Sequence, residues 1–148
     1  MPRPLHRSIT LWSGILIIAF VGWAWSTSYR AESWCRYNCF SAGNTHGGVE
    51  LNSVYSGSGF ITWPNRMRAS LLAPAMPAPF LLRGTGSPSA PITHRAPTSY
   101  RDSLEIMMTR RDPQAWLLFI PHWLILLAVI LPWAVLLRWQ AQRRKQAP

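Results

Sequence analysis

An uncharged apolar run near the end of the chain constrains the fold more than any other feature. It extends from Pro121 to Leu137, and the residues before it are uncharged back to Pro113. About 20 helical residues of this kind cross the ~30 Å hydrocarbon core of a bilayer. A basic segment, RWQAQRRK, follows at once. We therefore predict a transmembrane helix over residues 121–137 and a basic tail over residues 138–148.

A second apolar run follows the basic leader MPRPLHR and carries no charge from residue 8 to residue 29. A cleaved signal peptide has a similar basic start and apolar core. Here the core extends from Ile9 to Trp25, which is longer than an ordinary signal core, and it ends in tryptophan rather than alanine. We interpret this segment as an uncleaved transmembrane helix over residues 9–28, after a basic tail over residues 1–8.

The tryptophans are placed where two membrane-crossing helices would need them. Indole rings prefer the headgroup level of a bilayer, and the chain has nine tryptophans, most of them near the ends of the two predicted spans. In a helix, residues 123 and 139 would be about 24 Å apart. The predicted membrane-interface anchors are Trp12, Trp23, Trp25, Trp123, Trp133 and Trp139.

The charges that flank the two segments predict the orientation. Cytoplasmic flanks of membrane helices are enriched in lysine and arginine, and neither tail contains an acidic residue. The residues that set the topology are Arg3, Arg7, Arg138, Arg143, Arg144 and Lys145. We predict an inner-membrane protein with both termini in the cytoplasm. Because these flanks account for six of the fifteen basic residues behind the net charge of +10, we predict no binding to nucleic acid.

The region between the spans, residues 29–120, is then extracytoplasmic, and its pattern changes along the chain. Residues 49–63, VELNSVYSGSGFITW, alternate apolar and polar side chains around a Ser-Gly turn, which predicts a β-hairpin. Residues 73–97 contain six prolines, which exclude a continuous helix or a central strand. We predict an irregular, proline-rich loop there.

The end of this region contains two further apolar stretches on either side of an Asp-Pro step. They predict strands near residues 104–109 and 115–120, with Pro121 as the first residue of the second span. The alternative is a longer helix that begins near Pro113 and is kinked at Pro121.

Residues with obvious chemistry are few. Cys35 and Cys39, in the sequence WCRYNCF, are the only cysteines. Their spacing fits a local disulfide, and two unpaired thiols are an alternative. A redox site is less favoured because redox enzymes commonly use CxxC. A zinc site needs four ligands, and the two cysteines with His46 would supply three. We predict a possible disulfide, and no metal, cofactor or small-molecule substrate.

His122 is an ionisable side chain at the outer entry of the second predicted span. Ionisable groups at such positions suggest function, but an interface residue whose ring reaches water explains it more simply. We favour the second interpretation, because neither span contains a charged residue that could continue a proton or ion pathway.

The order of these features resembles a family of small two-span bacterial membrane proteins. The likeness is most specific over residues 119–145, around PHWLILLAVILPWAVLLRW and its arginine-rich tail; elsewhere it is organisational. Many members of that family continue into a cysteine-rich zinc ribbon. This chain has no CxxC, so no role of the ribbon can be transferred to it.

Together these observations predict a membrane α-helical hairpin of two transmembrane helices with a small β-containing extracytoplasmic region. We expect a non-enzymatic interaction or structural role, with the lipid bilayer and either another copy or a larger membrane protein as partners. The alternative from another class is a membrane-bound thiol redox protein that uses Cys35 and Cys39.

Overall fold

A computed structural model describes residues 9–54, 58–64, 76–87 and 97–146. The predicted tail over residues 1–8, the Ser-Gly turn at residues 56–57 and about half of the predicted proline-rich loop lie outside these residues. The elements, in chain order, are α1 (Ile9–Ser28), β1 (Ala31–Tyr37), β2 (Phe40–Thr45), β3 (Gly48–Asn52), β4 (Gly59–Pro64), β5 (Phe80–Arg83), α2 (Tyr100–Met108), β6 (Trp116–Pro121) and α3 (His122–Gln146).

Two helices are long and apolar enough to cross a membrane by length and composition. They are α1, with the bounds predicted from sequence, and residues 122–143 of α3. α3 begins immediately after Pro121, and the residues before it form strand β6 rather than a longer helix. The core helix of a soluble protein would be mostly buried, whereas only 11% of the best α1 segment and none of the α3 segment is buried.

The two helices pack against each other in antiparallel directions. Near the start of α1, Trp133 of α3 donates from Nε1 to the carbonyl of Thr10 at 2.9 Å. At the other end, Ser28 of α1 and His122 of α3 both bond to Gly47. The start of α1 and the end of α3 therefore lie at one end of this helical hairpin, and the sheet lies at the other.

A glycine permits this close helix contact, which gives a direct test. A Cβ at Gly14 would lie 2.1 Å from Nε1 of Trp133, whereas a Cβ at Gly22 meets nothing within 4 Å. We expect Gly14→Leu to separate the helices and lower the melting temperature of the detergent-purified protein. The matched variant Gly22→Leu should leave it nearly unchanged, and equal effects of the two substitutions would contradict the packing.

The six strands form one antiparallel sheet in the order β4-β1-β2-β3-β6-β5. β3 and β4 each overlap the predicted hairpin over residues 49–63, but they do not pair with each other, so that prediction is wrong. β4 pairs with β1 along six register positions, and β3 pairs instead with β2 and β6. The hairpins in the described chain are β1–β2 and β2–β3, joined by two-residue turns.

One face of the sheet is covered by α2. The cross-strand pair Glu50 and Phe119 lies on this covered face, and Tyr100 of α2 contacts both side chains. Farther along α2, Leu104 and Met108 are buried with Leu117 and Ala115. Their spacing of four residues places the two α2 side chains on one side of the helix, toward the sheet.

The predicted strand over residues 104–109 is wrong, because α2 occupies this segment. Ser99 caps the helix by accepting a hydrogen bond from the N–H of Asp102 at 3.1 Å. Arg101 and Glu105, one turn apart, form an ion pair at 2.7 Å. The local sequence therefore supplies a cap, an i,i+4 pair and an apolar helix face, which together favour helix over strand.

Two further boundaries differ from the prediction. β5 lies inside residues 73–97, which we predicted to be irregular, but it is an edge strand bonded only to β6, the position in a sheet that a proline-rich segment tolerates best. α3 does not end at residue 137 but continues to Gln146. The predicted basic tail is thus helical over residues 138–146.

Candidate functional site

The turn between β2 and β3 joins the sheet to both long helices. Its two central residues, His46 and Gly47, have φ of 47° and 82°, as in the hairpin turns that match the twist of the strands. His46 donates its backbone N–H to the carbonyl of Ser28 at 3.2 Å, and Gly47 donates to the Ser28 hydroxyl at 3.0 Å. The carbonyl of Gly47 accepts from the N–H of His122 at 3.0 Å. We call residues 45–48 the junction turn.

Gly47 is the position of the junction turn that tolerates least change. Alanine in the left-handed region costs about 1–2 kcal/mol, and a Cβ here would also lie 2.5 Å from the hydroxyl of Tyr29. We expect Gly47→Ala to destabilise the protein by at least that amount in chemical denaturation. In a Tyr29→Phe background the loss of stability caused by Gly47→Ala should be smaller, because the nearest clashing atom, the Tyr29 hydroxyl oxygen, is absent. If the loss is unchanged, the whole effect comes from backbone strain.

A buried polar cluster lies on the covered face beside the junction turn, with Glu50 at its centre. Only 1% of Glu50 is exposed. Its Oε1 accepts from Nδ2 of Asn52 at 2.8 Å, and Asn52 in turn accepts from the Ser41 hydroxyl at 2.6 Å. The other oxygen of Glu50 accepts a hydrogen bond from the Tyr100 hydroxyl. Both carboxyl oxygens are therefore satisfied without a cation.

His46 completes the cluster from the junction turn. Its ring stacks on Tyr100, with centroids 4.0 Å apart and planes 16° apart. Its Nδ1 is hydrogen-bonded to the Thr45 hydroxyl at 2.5 Å and lies 3.6 Å from Oε1 of Glu32. Its Nε2 is buried and has no hydrogen-bond partner. Both ring nitrogens of His122 are likewise buried and without a hydrogen-bond partner.

Burial determines the protonation of these groups. It raises the pKa of Glu50 from 4.5 to about 7, although the hydrogen bonds from Tyr100 and Asn52 pull the other way. It lowers the pKa of His46 from 6.5 to about 4. It also raises the pKa of Tyr100 well above 10, and the neighbouring Glu50 adds to that shift. Between about pH 4 and pH 7 Glu50 and His46 are therefore mostly uncharged, and Glu50 ionises as the pH rises through about 7.

The carboxyl of Glu50 can hold a proton, but a buried, hydrogen-bonded cluster of this kind can equally be purely structural. Among the described residues no group of three or more His, Cys, Asp or Glu side chains could hold a metal ion. The acid, the phenol and the imidazole are bonded or stacked mainly to one another. The cluster therefore fixes how the sheet, α2 and the junction turn sit together.

The predicted cysteine pair lies at the far end of the β1–β2 hairpin, away from the cluster. Cys35 is in β1, and Cys39 is in the turn that follows, next to Asn38 with its φ of 54°. Both are free, exposed thiols. A disulfide between them thus stays a prediction.

The predicted tryptophan anchors have different surroundings. Trp12, Trp23 and Trp139 are about half exposed or more, and the Arg143 guanidinium lies 3.9 Å above the Trp139 ring. Trp25 donates to the Tyr29 hydroxyl at 3.2 Å. The remaining two, Trp123 and Trp133, donate to the backbone carbonyls of Pro77 and Thr10, so each also joins distant parts of the chain.

The predicted topology-setting charges fall largely at the ends of the described chain. Arg138 and Arg143 are exposed on α3. The other four are Arg3 and Arg7, outside the described residues, and Arg144 and Lys145, in the last turns of α3.

His122 is not the water-exposed interface residue that we expected. Only 2% of it is exposed, because β6 leads directly into α3 beneath the junction turn and places the ring inside. Sequence reasoning also missed His46, Glu50 and Tyr100 as members of one cluster. A usable signal for the junction turn was the sequence THGG between two short alternating stretches.

Comparisons with known proteins found no match for this chain among protein-family models, curated proteins or solved structures.

Proposed function

We propose that this chain is a non-enzymatic, membrane-anchored protein whose helical hairpin holds a six-stranded sheet outside the cytoplasmic membrane as an interaction module. Both termini lie in the cytoplasm in this arrangement. The observation that carries the proposal is the pair of uncovered apolar helices hydrogen-bonded, through the junction turn, to a folded sheet.

The exposed surface of the helices supports insertion in a bilayer. Soluble monomers rarely expose contiguous apolar patches larger than a few hundred Å². Both helices expose large apolar side chains over most of their length: Ile9, Trp12, Ile15, Leu16, Ile17, Phe20 and Trp23 on α1, and Leu124, Leu127, Leu131, Val135, Leu136 and Trp139 on α3. Hydrocarbon would cover such a surface without requiring a partner for it.

The contacts of α1 support an anchor that is retained rather than cleaved. Thr10 accepts the indole hydrogen bond of Trp133, and near the other end of α1 the Asn44 side chain donates to the carbonyl of Ala24 at 3.0 Å. Removal of α1 would leave the Trp133 indole and the Asn44 side chain without these partners. Because the two helices are antiparallel, retention also places both termini on the same side.

The surroundings of the polar groups support an interaction role over an enzymatic one. Catalysis needs a nucleophile or acid-base pair within reach of a substrate, whereas Glu50 and His46 are at most 2% exposed. The thiol redox alternative needs a reversible bond between Cys35 and Cys39. Thiol counting before and after mild reduction separates the two, since an increase of two thiols would favour the redox role.

The topology is tested with a cysteine of the chain itself. In the variant Cys35→Ser, Cys39 is the sole thiol and lies in the turn at the end of the sheet farthest from the helices. We expect a membrane-impermeant maleimide to label it in intact cells or right-side-out vesicles. The physical reason is that the basic flanks keep both ends of the hairpin inside and so place the sheet outside.

A matched control places the only cysteine at the opposite end of the hairpin. Gln142 is exposed on α3, so Gln142→Cys in a background without Cys35 and Cys39 should be labelled only after the membrane is permeabilised. Recovery of the protein in the soluble fraction, or the reverse labelling pattern, would contradict the proposed function.

A further inference from the structure

The sheet face opposite α2 carries a continuous apolar row. Cross-strand partners lie on the same face of a sheet, and one row of partners crosses all six strands: Phe60, Cys35, Ala42, Leu51, Leu118 and Leu81. We call the face that contains this row the open face. With strands ~4.8 Å apart, the row is roughly 24 Å long.

The open face is most accessible toward the two edges of the sheet, whereas Ala42, Leu51 and Leu118 in the middle of the row are half-buried. Phe60 is 72% exposed and Leu81 57% exposed, and Cys35 is also exposed. The next positions away from the helices add Tyr37 and Phe40, which are exposed as well. The face is therefore apolar from one edge of the sheet to the other, over its middle and outer parts.

Charge is nearly absent from this face. Among the strand residues that the structure describes, Arg83 in the edge strand β5 is the only charged residue at an open-face position. A polar or acidic partner, or an anionic lipid surface, would gain little from such a face. It is suited to a surface as apolar as itself, and a second copy of the chain supplies one of equal dimensions.

We propose that the open face is the contact between two copies of this chain, which form a two-fold dimer outside the membrane. This inference rests on the proposed function, because both copies must be held in one bilayer with the same orientation. Each open face then packs on the other as the two layers of a β-sandwich do, about 10 Å apart. The covered faces, each with its own α2, point outward.

The membrane limits the geometry of this dimer to one kind of symmetry. Two copies with the same orientation are related by a two-fold axis along the membrane normal, so side chains at equal height meet. With the axis over the middle of the sheet, the row meets itself in reverse order. Phe60 faces Leu81 of the second copy, Cys35 faces Leu118, and Ala42 faces Leu51, so large side chains lie opposite smaller or flexible ones.

The available area is sufficient for a membrane-held dimer. Three rows of side chains on six strands cover roughly 600 Å² per copy at ordinary strand spacings, or roughly 1,200 Å² in total. Specific interfaces begin at about that size. Anchoring in the same membrane raises the effective concentration of the second copy, which favours association without further contacts.

Disulfide crosslinking tests the dimer, with Cys35 and one introduced cysteine in the full-length protein in its native membrane. In Cys39→Ser/Leu118→Cys, the two thiols of one chain lie three strands apart, about 14 Å. A disulfide needs Cα atoms within about 7 Å, so a bond between Cys35 and position 118 must join two copies. We expect mild oxidation to produce a reducible, covalent dimer.

Matched controls locate the contact. Pairing Cys35 with Glu105→Cys, exposed on α2 at the opposite side of the sheet, should give roughly tenfold less dimer, because only facing thiols meet the distance requirement. Adding Phe60→Lys to the crosslinking variant should reduce the dimer by a similar factor, since it places an unpaired charge in the contact. Because Phe60 is exposed, this substitution removes little from the core. Glu105→Lys should leave the yield unchanged.

Failure of this inference can be told apart from failure of the proposed function. If no dimer forms while Cys39 is labelled from outside, the dimer is excluded and the membrane anchor stands. If a fluorophore on Cys35 is quenched by lipid-bound nitroxides without a dimer, the open face lies on the bilayer, which also overturns this inference. If Cys39 is not labelled from outside, the proposed topology itself is wrong.

Discussion

Replacement of Phe119 by alanine is expected to destabilise the sheet region by about 3–5 kcal/mol, the usual cost of removing a fully buried phenylalanine. Phe119 is 0% exposed, stacks on Phe80 with centroids 5.0 Å apart and meets the edge of Tyr100 at 5.7 Å. Its ring also fills the space beside Gly48, where a Cβ would lie 2.5 Å from Cζ. One substitution thus opens a cavity between β5, β6, β3 and α2.

This cost is measured by urea denaturation of the detergent-solubilised protein. Limited proteolysis of the sheet region at each urea concentration reports the unfolded fraction. The matched control is Phe60→Ala, which removes the same side chain from a position that is 72% exposed. It should change the free energy of unfolding by less than about 1 kcal/mol. Similar losses for Phe119→Ala and Phe60→Ala would contradict the assignment of covered and open faces.

The long elements of this fold could be predicted because their signal is local and strong. α1 is an uncharged run of 20 residues, α3 begins with an uncharged run of 16 residues, and β6 is an apolar stretch that ends at Pro121. No competing structure satisfies such segments as well. Pro121 located the start of α3 to within one residue: we predicted it as the first residue of the helix, whereas it is the last residue of β6 and His122 begins α3.

Strand pairing could not be predicted in the same way, because it depends on distant residues. The turns at residues 38–39 and 46–47 lack the Asn-Gly or Asp-Gly step that identifies most tight hairpins. The conspicuous Ser-Gly sequence instead lies between β3 and β4, which are separated in the sheet by β1 and β2. Turn chemistry alone therefore assigned the wrong partner to each of these strands.

The polar cluster was invisible in the sequence for a related reason. Glu50 and Tyr100 are fifty residues apart, and nothing near either one predicts that they form a hydrogen bond. Tyr100 arrives there only because residues 100–108 are helical and pack on the sheet. Once that segment is assigned as a strand, the phenol has no reason to lie over the junction turn.

The second large effect concerns pH, because Glu50 and His46 should influence stability in opposite directions. The carboxyl of Glu50 has a pKa of about 7 in the folded protein and 4.5 when exposed. The folded state then binds the proton more tightly, so the free energy of unfolding falls as the pH rises from about 4.5 to 7 and stays level above that. A difference of this size corresponds to about 3 kcal/mol.

His46 contributes the reverse slope. Its pKa is about 4 in the folded protein and 6.5 when exposed. The unfolded chain binds the proton more tightly, so the free energy of unfolding falls as the pH drops from 6.5 to about 4, again by about 3 kcal/mol. In the native protein the two dependences largely cancel, and we expect a shallow pH profile between pH 4 and 7.

Single substitutions should separate the two slopes. Glu50→Gln mimics the protonated carboxyl, so its stability should increase steadily from pH 4 to 6.5 as only His46 responds. His46→Asn keeps a residue that tolerates the left-handed φ of 47°, and its stability should instead decrease from pH 4.5 to 7. Melting temperatures measured in detergent across this range suffice, because the sign of the slope is the readout and a uniform loss of stability does not change it. Parallel profiles for the two variants would show that Glu50 and His46 do not hold the protonation states that their burial implies.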